Sequence, residues 1–121
     1  MLDCTRFSRG RVRVLHADAY DHETVRRARE AGPPGGYDLI VDDGPHTLDS
    51  LVFAARHYAP LLAEGGVLVL EDVQDPGWTA DLCGACPELA PEVIDRRGVK
   101  GRYDDIMVVY RRPPRPEPEA P

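Results

Sequence analysis

Two short segments, YDLIVDD at 37–43 and VLVLED at 67–72, each run through apolar residues and close on a pair of acids. A continuous apolar run suits a strand covered on both faces, as the strands of a parallel sheet are. Between them, Leu48, Leu51, Val52, Ala55, Ala59 and Leu62 recur at three- and four-residue steps, which predicts a helix with one apolar face. Pro60 interrupts that pattern and should kink or tighten the last turns. Gly65-Gly66 is the expected helix stop and the lead into the second strand.

The flanking segments extend the same alternation. Residues 11–15 (RVRVL) alternate basic and apolar and predict a strand that ends in the polar loop HADA. Asp21 is placed to cap a helix from His22 to Ala31, and Gly32-Pro33-Pro34 stops it. Trp78 to Leu89 reads as a weaker helical or looped stretch, broken by Gly84 and Pro87. PEVIDRR and DDIMVVYRR then predict two strands of an antiparallel hairpin joined by GVKGRY. Strand and helix in alternation, closed by a hairpin, predict an α/β fold with a mostly parallel sheet. With 121 residues there is room for one small domain, expected over residues 1–112. The proline-rich remainder, 113–121, cannot build a core and is expected to be disordered.

Parallel sheets collect ligands at the carboxyl ends of their strands, and the acids gather there: Asp18, Asp42-Asp43 and Glu71-Asp72. Neighbouring strands stand about 5 Å apart, so two acidic ends share one crevice. Such carboxylates repel unless a cation relieves them, and hard oxygen donors suit Mg²⁺, Mn²⁺ or Ca²⁺. Acids at strand ends also cap helices, and that plainer reading stays open for each pair alone. His46, three residues past Asp43, could take a proton from a substrate hydroxyl beside such a metal; as a lone residue it is equally an exposed loop histidine. His16, His22 and His57 take that plainer reading. Asp18 in HADAY can accept a hydrogen bond from an adenine amine, with the small Ala17 and Ala19 leaving space for a flat ring. A simple turn before the helix accounts for it as well. Cys83 and Cys86 form a lone CxxC without a second pair or a following histidine, so it is read as incidental.

Composition narrows the partners. A formal charge of −6 disfavours a phosphate-backbone partner. No apolar run reaches the roughly 20 residues of a membrane span, and no signal-like leader opens the chain. Three cysteines, an odd number, argue against a disulfide scaffold and point to a reducing, cytoplasmic setting.

At YDLIVDDGPH and LAEGGVLVLED the chain resembles class I S-adenosylmethionine-dependent methyltransferases. More narrowly it is similar to the metal-dependent O-methyltransferases, both the catechol type and the sugar- and natural-product-modifying type akin to cephalosporin hydroxylase and macrolide methyltransferases. The resemblance covers about residues 11–111 and implies a Rossmann-like fold and methyl transfer to a hydroxyl of a small molecule. It places Asp43, Glu71 and Asp72 at metal-ligand positions (Mg²⁺ foremost), His46 at the catalytic base, and Ala17, Asp18 and Ala19 in the adenine loop. GRYDDIMVVYRR matches the closing strand of the terminal hairpin.

The family's first two strands and its GxGxG loop have no counterpart here, and Gly35-Gly36 follows a helix and cannot replace that loop. In the family's strand order, 3-2-1-4-5-7-6, their absence separates the 11–15 strand from the rest. Three arrangements follow as expectations: the 11–15 strand moves beside 37–43, a second chain or copy fills the gap, or the chain is part of a longer product. A non-catalytic half-domain that pairs with another chain is therefore the alternative to an enzyme. A response-regulator receiver domain is a weaker rival, because its acidic pair belongs on a first strand, whereas here that strand begins at residue 37.

Overall fold

The computed structural model describes residue 10 and residues 12–116. In chain order they form α1 (His22–Ala31), β1 (Tyr37–Asp42), α2 (Leu48–His57), β2 (Leu62–Leu70), α3 (Thr79–Ala85), β3 (Glu92–Asp95), α4 (Arg97–Lys100) and β4 (Ile106–Arg111). The four strands make one sheet in the order β1-β2-β4-β3. β1 and β2 pair in parallel, and β4 runs antiparallel to both of its neighbours. Three of the four strands therefore point the same way, and the sheet ends in the expected antiparallel pair.

Local chemistry accounts for the helix boundaries. Asp21 accepts from the backbone N–H of Glu23 and starts α1. Thr47 and Ser50 exchange hydrogen bonds in a capping box that starts α2. Pro60 has no N–H to continue the α-helical ladder, so α2 ends at His57 and the chain tightens into a 3₁₀ turn over Ala59–Leu61.

Gly65-Gly66, expected as the helix stop, instead lies inside β2. There the register jumps from Tyr37↔Leu62 to Leu39↔Val67, so β2 bulges against β1. A side chain at Gly66 would come within 2.6 Å of the Tyr37 carbonyl oxygen, and only glycine lets the two backbones approach so closely.

The core lies on one face of the sheet. Leu51, Ala54 and Ala55 of α2 and Leu82 of α3 pack against Leu68, Leu70, Ile106, Val108 and Tyr110, all nearly inaccessible to solvent. The Tyr110 hydroxyl donates to the Leu82 carbonyl at 2.6 Å, which satisfies the one polar atom that this side chain carries into the core. On the opposite face Leu39 and Val41 are 60% and 48% exposed. α1 buries only Val25 and is held by a hydrogen bond from the Tyr37 hydroxyl to the Ala28 carbonyl, 2.6 Å.

The 11–15 segment departs from expectation. Val12 forms an isolated bridge, residues 13–16 have no regular structure, and Val12, Val14 and Leu15 are exposed. An alternating pattern packs as a strand only where a layer covers its apolar face. Without this strand the described sheet is contiguous and has no central gap. Pro113 to Pro116 are exposed and without secondary structure, and the rest of the predicted tail lies outside the described residues. Among the described residues, no helix is long and apolar enough to cross a membrane.

One-sided burial has a measurable consequence. Leu68→Ala should destabilise the chain by about 2–5 kcal/mol, whereas Leu39→Ala should change stability by less than about 0.5 kcal/mol. Urea unfolding of the two variants checks the difference.

Candidate functional site

Parallel pairing of β1 with β2 sets the site. The strands stay in register from Leu39↔Val67 to Asp42↔Leu70, and the Glu71 N–H donates to the Asp42 carbonyl at 3.0 Å just past the strand ends. Both acidic pairs thus leave the sheet at one edge. Beyond them, buried Val73 donates its N–H to the Ile106 carbonyl at 3.0 Å and pins the chain to β4. Two residues at this edge take left-handed backbone conformations, His46 at φ 60° and Asp72 at φ 55°. Aspartate and histidine tolerate that region better than most residues, yet each placement costs about 1–3 kcal/mol. Such strain concentrates at sites where side-chain aim matters.

The two turns aim His46 and Asp72 at each other. His46 is largely buried, and its Nδ1 stands 3.1 Å from the Glu71 carbonyl oxygen. A carbonyl can only accept, so Nδ1 carries a proton, and in the neutral ring the lone pair is on Nε2. That Nε2 lies 3.5 Å from Asp43 Oδ1 and 3.9 Å from Asp72 Oδ2. One donor atom each from Asp43, His46 and Asp72 lies within 4.8 Å of the others. Two carboxylate oxygens and an imidazole nitrogen at that spacing can hold a divalent cation, and the same lone pair can accept a proton.

Glu71 departs from expectation, because its carboxylate does not join this group. The left-handed turn at Asp72, φ 55°, sets its side chain apart from that of Glu71. Glu71 contributes its carbonyl oxygen, which orients the imidazole.

Asp42 is a residue the sequence singled out only as one of a pair. Its carboxylate accepts from the Tyr20 hydroxyl, at 3.0 Å to Oδ2 and 3.2 Å to Oδ1, and from the Gly44 N–H at 3.0 Å. Its partners leave Asp43 as the member of the pair that faces His46. The Tyr20 hydroxyl is held protonated, its pKa pushed well up by burial and by the neighbouring Asp42 charge. Asp18 is exposed and accepts from the Tyr20 N–H at 2.9 Å, the turn expected of a short acid before a helix. Ala17 is exposed too, while Ala19 lines a cleft of about 270 Å³ with Tyr20, Val41, Asp43, Gly44 and Tyr58. Tyr20 and Tyr58 escaped sequence reasoning; the available signal was an aromatic residue directly after HADA.

A larger hollow, about 450 Å³, lies among Arg29, Gly36, Tyr37, Leu62 and Arg112, at the strands' opposite ends. Ligands of open α/β sheets bind at the carboxyl ends, so the smaller cleft beside the acids is the candidate. His22 and His57 meet edge to face, ring centres 4.6 Å apart, and both lie against Phe53. Cys83 and Cys86 are free thiols; burial, with Glu88 alongside, pushes Cys86 up to about 11, which makes it unreactive.

Comparison with known proteins places the chain in a family. A family described as "Methyltransferase domain" matches residues 3–73. An 8-demethyl-8-alpha-L-rhamnosyl tetracenomycin-C 2'-O-methyltransferase of Streptomyces olivaceus is 35% identical over 78 residues, 64% of this chain and 20% of that protein. An 8-demethyl-8-(2-methoxy-alpha-L-rhamnosyl)-tetracenomycin-C 3'-O-methyltransferase of the same organism is 31% identical over 115 residues, 92% of this chain and 27% of that protein. The chain thus spans about a fifth to a quarter of the length of these curated relatives.

The geometry of His46 makes a spectroscopic prediction. In the neutral ring, ¹⁵N shifts should report the Nδ1–H form, where free histidine prefers Nε2–H. An Nε2–H signature would contradict the hydrogen bond to Glu71.

Proposed function

Because the chain belongs to the methyltransferase domain family, we propose that it is part of an S-adenosylmethionine-dependent O-methyltransferase that uses a divalent cation, Mg²⁺ by the hardness of its donors. The observation that carries the proposal is the convergence of Asp43, His46 and Asp72 at one end of the paired strands. Asp43 and Asp72 would hold the cation. The acceptor is a hydroxyl of a small molecule, and the names of the two relatives favour a hydroxyl on a sugar such as rhamnose. No nucleic-acid or membrane partner is needed, and a cytoplasmic setting suits such chemistry.

When bound, S-adenosylmethionine supplies an electrophilic methyl group, and the cation supplies charge that lowers the pKa of the acceptor hydroxyl. His46 then does the proton work. Its Nδ1–H is committed to the Glu71 carbonyl, so Nε2 would be the base that takes the hydroxyl proton. Asp43 and Asp72 stand 3.5 and 3.9 Å from Nε2, so the base would lie beside the cation that they hold. The Ala17–Ala19 loop, whose Ala19 lines the cleft, would hold the adenine end of the cofactor.

A second reading keeps the fold and drops the chemistry: a half-domain that pairs with a second copy or a complementing chain. The exposure of Leu39 and Val41 on the uncovered sheet face favours it, since apolar sheet faces and strand edges seek partners. Sedimentation decides here, because a clean monomer at high concentration would leave that face with no partner to explain.

Two measurements test the catalytic reading. Equilibrium dialysis with Mg²⁺ or Mn²⁺ should give at least about tenfold weaker binding for Asp72→Asn than for the unaltered chain, and equal binding would remove the cation from the site. In a preparation that turns over, His46→Ala should lower the rate by about 10²–10⁴-fold, and undiminished turnover would exclude His46 as base.

A further inference from the structure

The loop from Ala17 to Tyr20 is exposed through Ala19, belongs to no strand, and leads into a helix that buries a single side chain. Burial therefore does little to hold it, yet it forms one wall of the cleft whose other wall is the end of β1. Two phenol hydroxyls supply the missing restraint, and they pull from different sides. Tyr58, the residue that ends α2, donates to the Ala19 carbonyl at 2.5 Å. Tyr20 reaches across the cleft in the other direction and donates to both oxygens of Asp42. Asp42 in turn accepts from the Gly44 N–H, so the same carboxylate ties the loop to the turn that carries Asp43 and His46.

Gly44 belongs to this device. A Cβ there would stand 1.9 Å from the Tyr20 hydroxyl oxygen, an impossible separation, so the glycine leaves the space that the hydroxyl occupies. Tyr20 also stacks edge-on against Phe53 of α2, with ring centres 6.0 Å apart, which limits how its ring can swing. A hydrogen bond to a carboxylate is among the stronger ones available to a neutral donor.

We infer that Tyr20 and Tyr58 are positioning residues for nucleoside recognition, their hydroxyls holding the Ala17–Tyr20 loop at a fixed distance from the end of β1 so that a flat purine fits between. The inference rests on the methyltransferase reading above. It adds that the loop's aim is set by Asp42 and Tyr58 and not by the loop's own turn. It also couples the two halves of the site, because whatever moves Tyr20 moves Asp42 and, through Gly44, the turn that carries Asp43 and His46.

Adenosine, titrated into the chain and followed by amide NMR shifts at Ala19 and Gly44, tests this directly. The unaltered chain should give saturable shifts at both amides. Tyr20→Phe and Tyr58→Phe should each weaken adenosine binding at least about tenfold, the cost of one well-made hydrogen bond, while the far-ultraviolet circular dichroism stays unchanged. Asp42→Ala, which removes the acceptor of the Tyr20 hydroxyl, should weaken binding as Tyr20→Phe does. If one phenylalanine variant fails to fold, the other carries the comparison, since the two bonds are separate. Unaltered affinity in the folded variants would overturn the positioning role and leave the methyltransferase reading standing. Absence of the shifts in the unaltered chain would overturn the cofactor cleft itself, and this inference with it.

Discussion

Everything at the candidate site depends on the parallel ladder between β1 and β2. Four consecutive pairs, from Leu39↔Val67 to Asp42↔Leu70, place two strand ends side by side, and the Glu71-to-Asp42 hydrogen bond carries the alignment one step further. A slip of one residue would turn every side chain of β1 to the opposite face and part the acids. Buried Leu68 and Leu70 resist that slip from the β2 side, because their inward direction is set by contact with α2 and α3. The bulge at Gly65-Gly66 absorbs the mismatch at the other end of the ladder, where no functional side chain stands.

Past the ladder, local strain does the aiming. His46 and Asp72 both adopt left-handed conformations, and both contribute to the one cluster of three donor groups among the described residues. The surrounding structure sustains these conformations through fixed points on either side: the capping box at Thr47 after His46, and the Val73-to-Ile106 hydrogen bond after Asp72. Stability and function therefore meet at this edge. The residues that close the core are immediate neighbours in sequence of those at the candidate site.

The uncovered face of the sheet gives the molecule its second character. Helices α2 and α3 bury one face, whereas Leu39 and Val41 stand open on the other. A sheet with strands of this composition suits cover on both sides.

Much of the fold was legible in the amino-acid order because the relevant forces are local. Asp21 before His22, Thr47 before Leu48 and Pro60 after Tyr58 determine helix boundaries through backbone hydrogen bonds within a few residues. The runs at 37–43 and 67–72 specify strands through their burial pattern, and their acidic ends put Asp43, His46 and Asp72 in view as candidates. Tertiary structure alone decided the rest. Whether residues 11–15 form a strand depends on a partner that no alternation of side chains can supply. Which of Glu71 and Asp72 faces His46 depends on a backbone turn set by the anchoring of Val73 to β4, 33 residues further along the chain. The roles of Tyr20, Asp42 and Tyr58 arise from hydrogen bonds spanning 22 and 39 residues. Sequence determines local propensity and the order of chemical groups; only the packed chain decides which distant groups come within reach, because a hydrogen bond or a shared cation acts over a few ångströms of space and takes no account of separation along the chain.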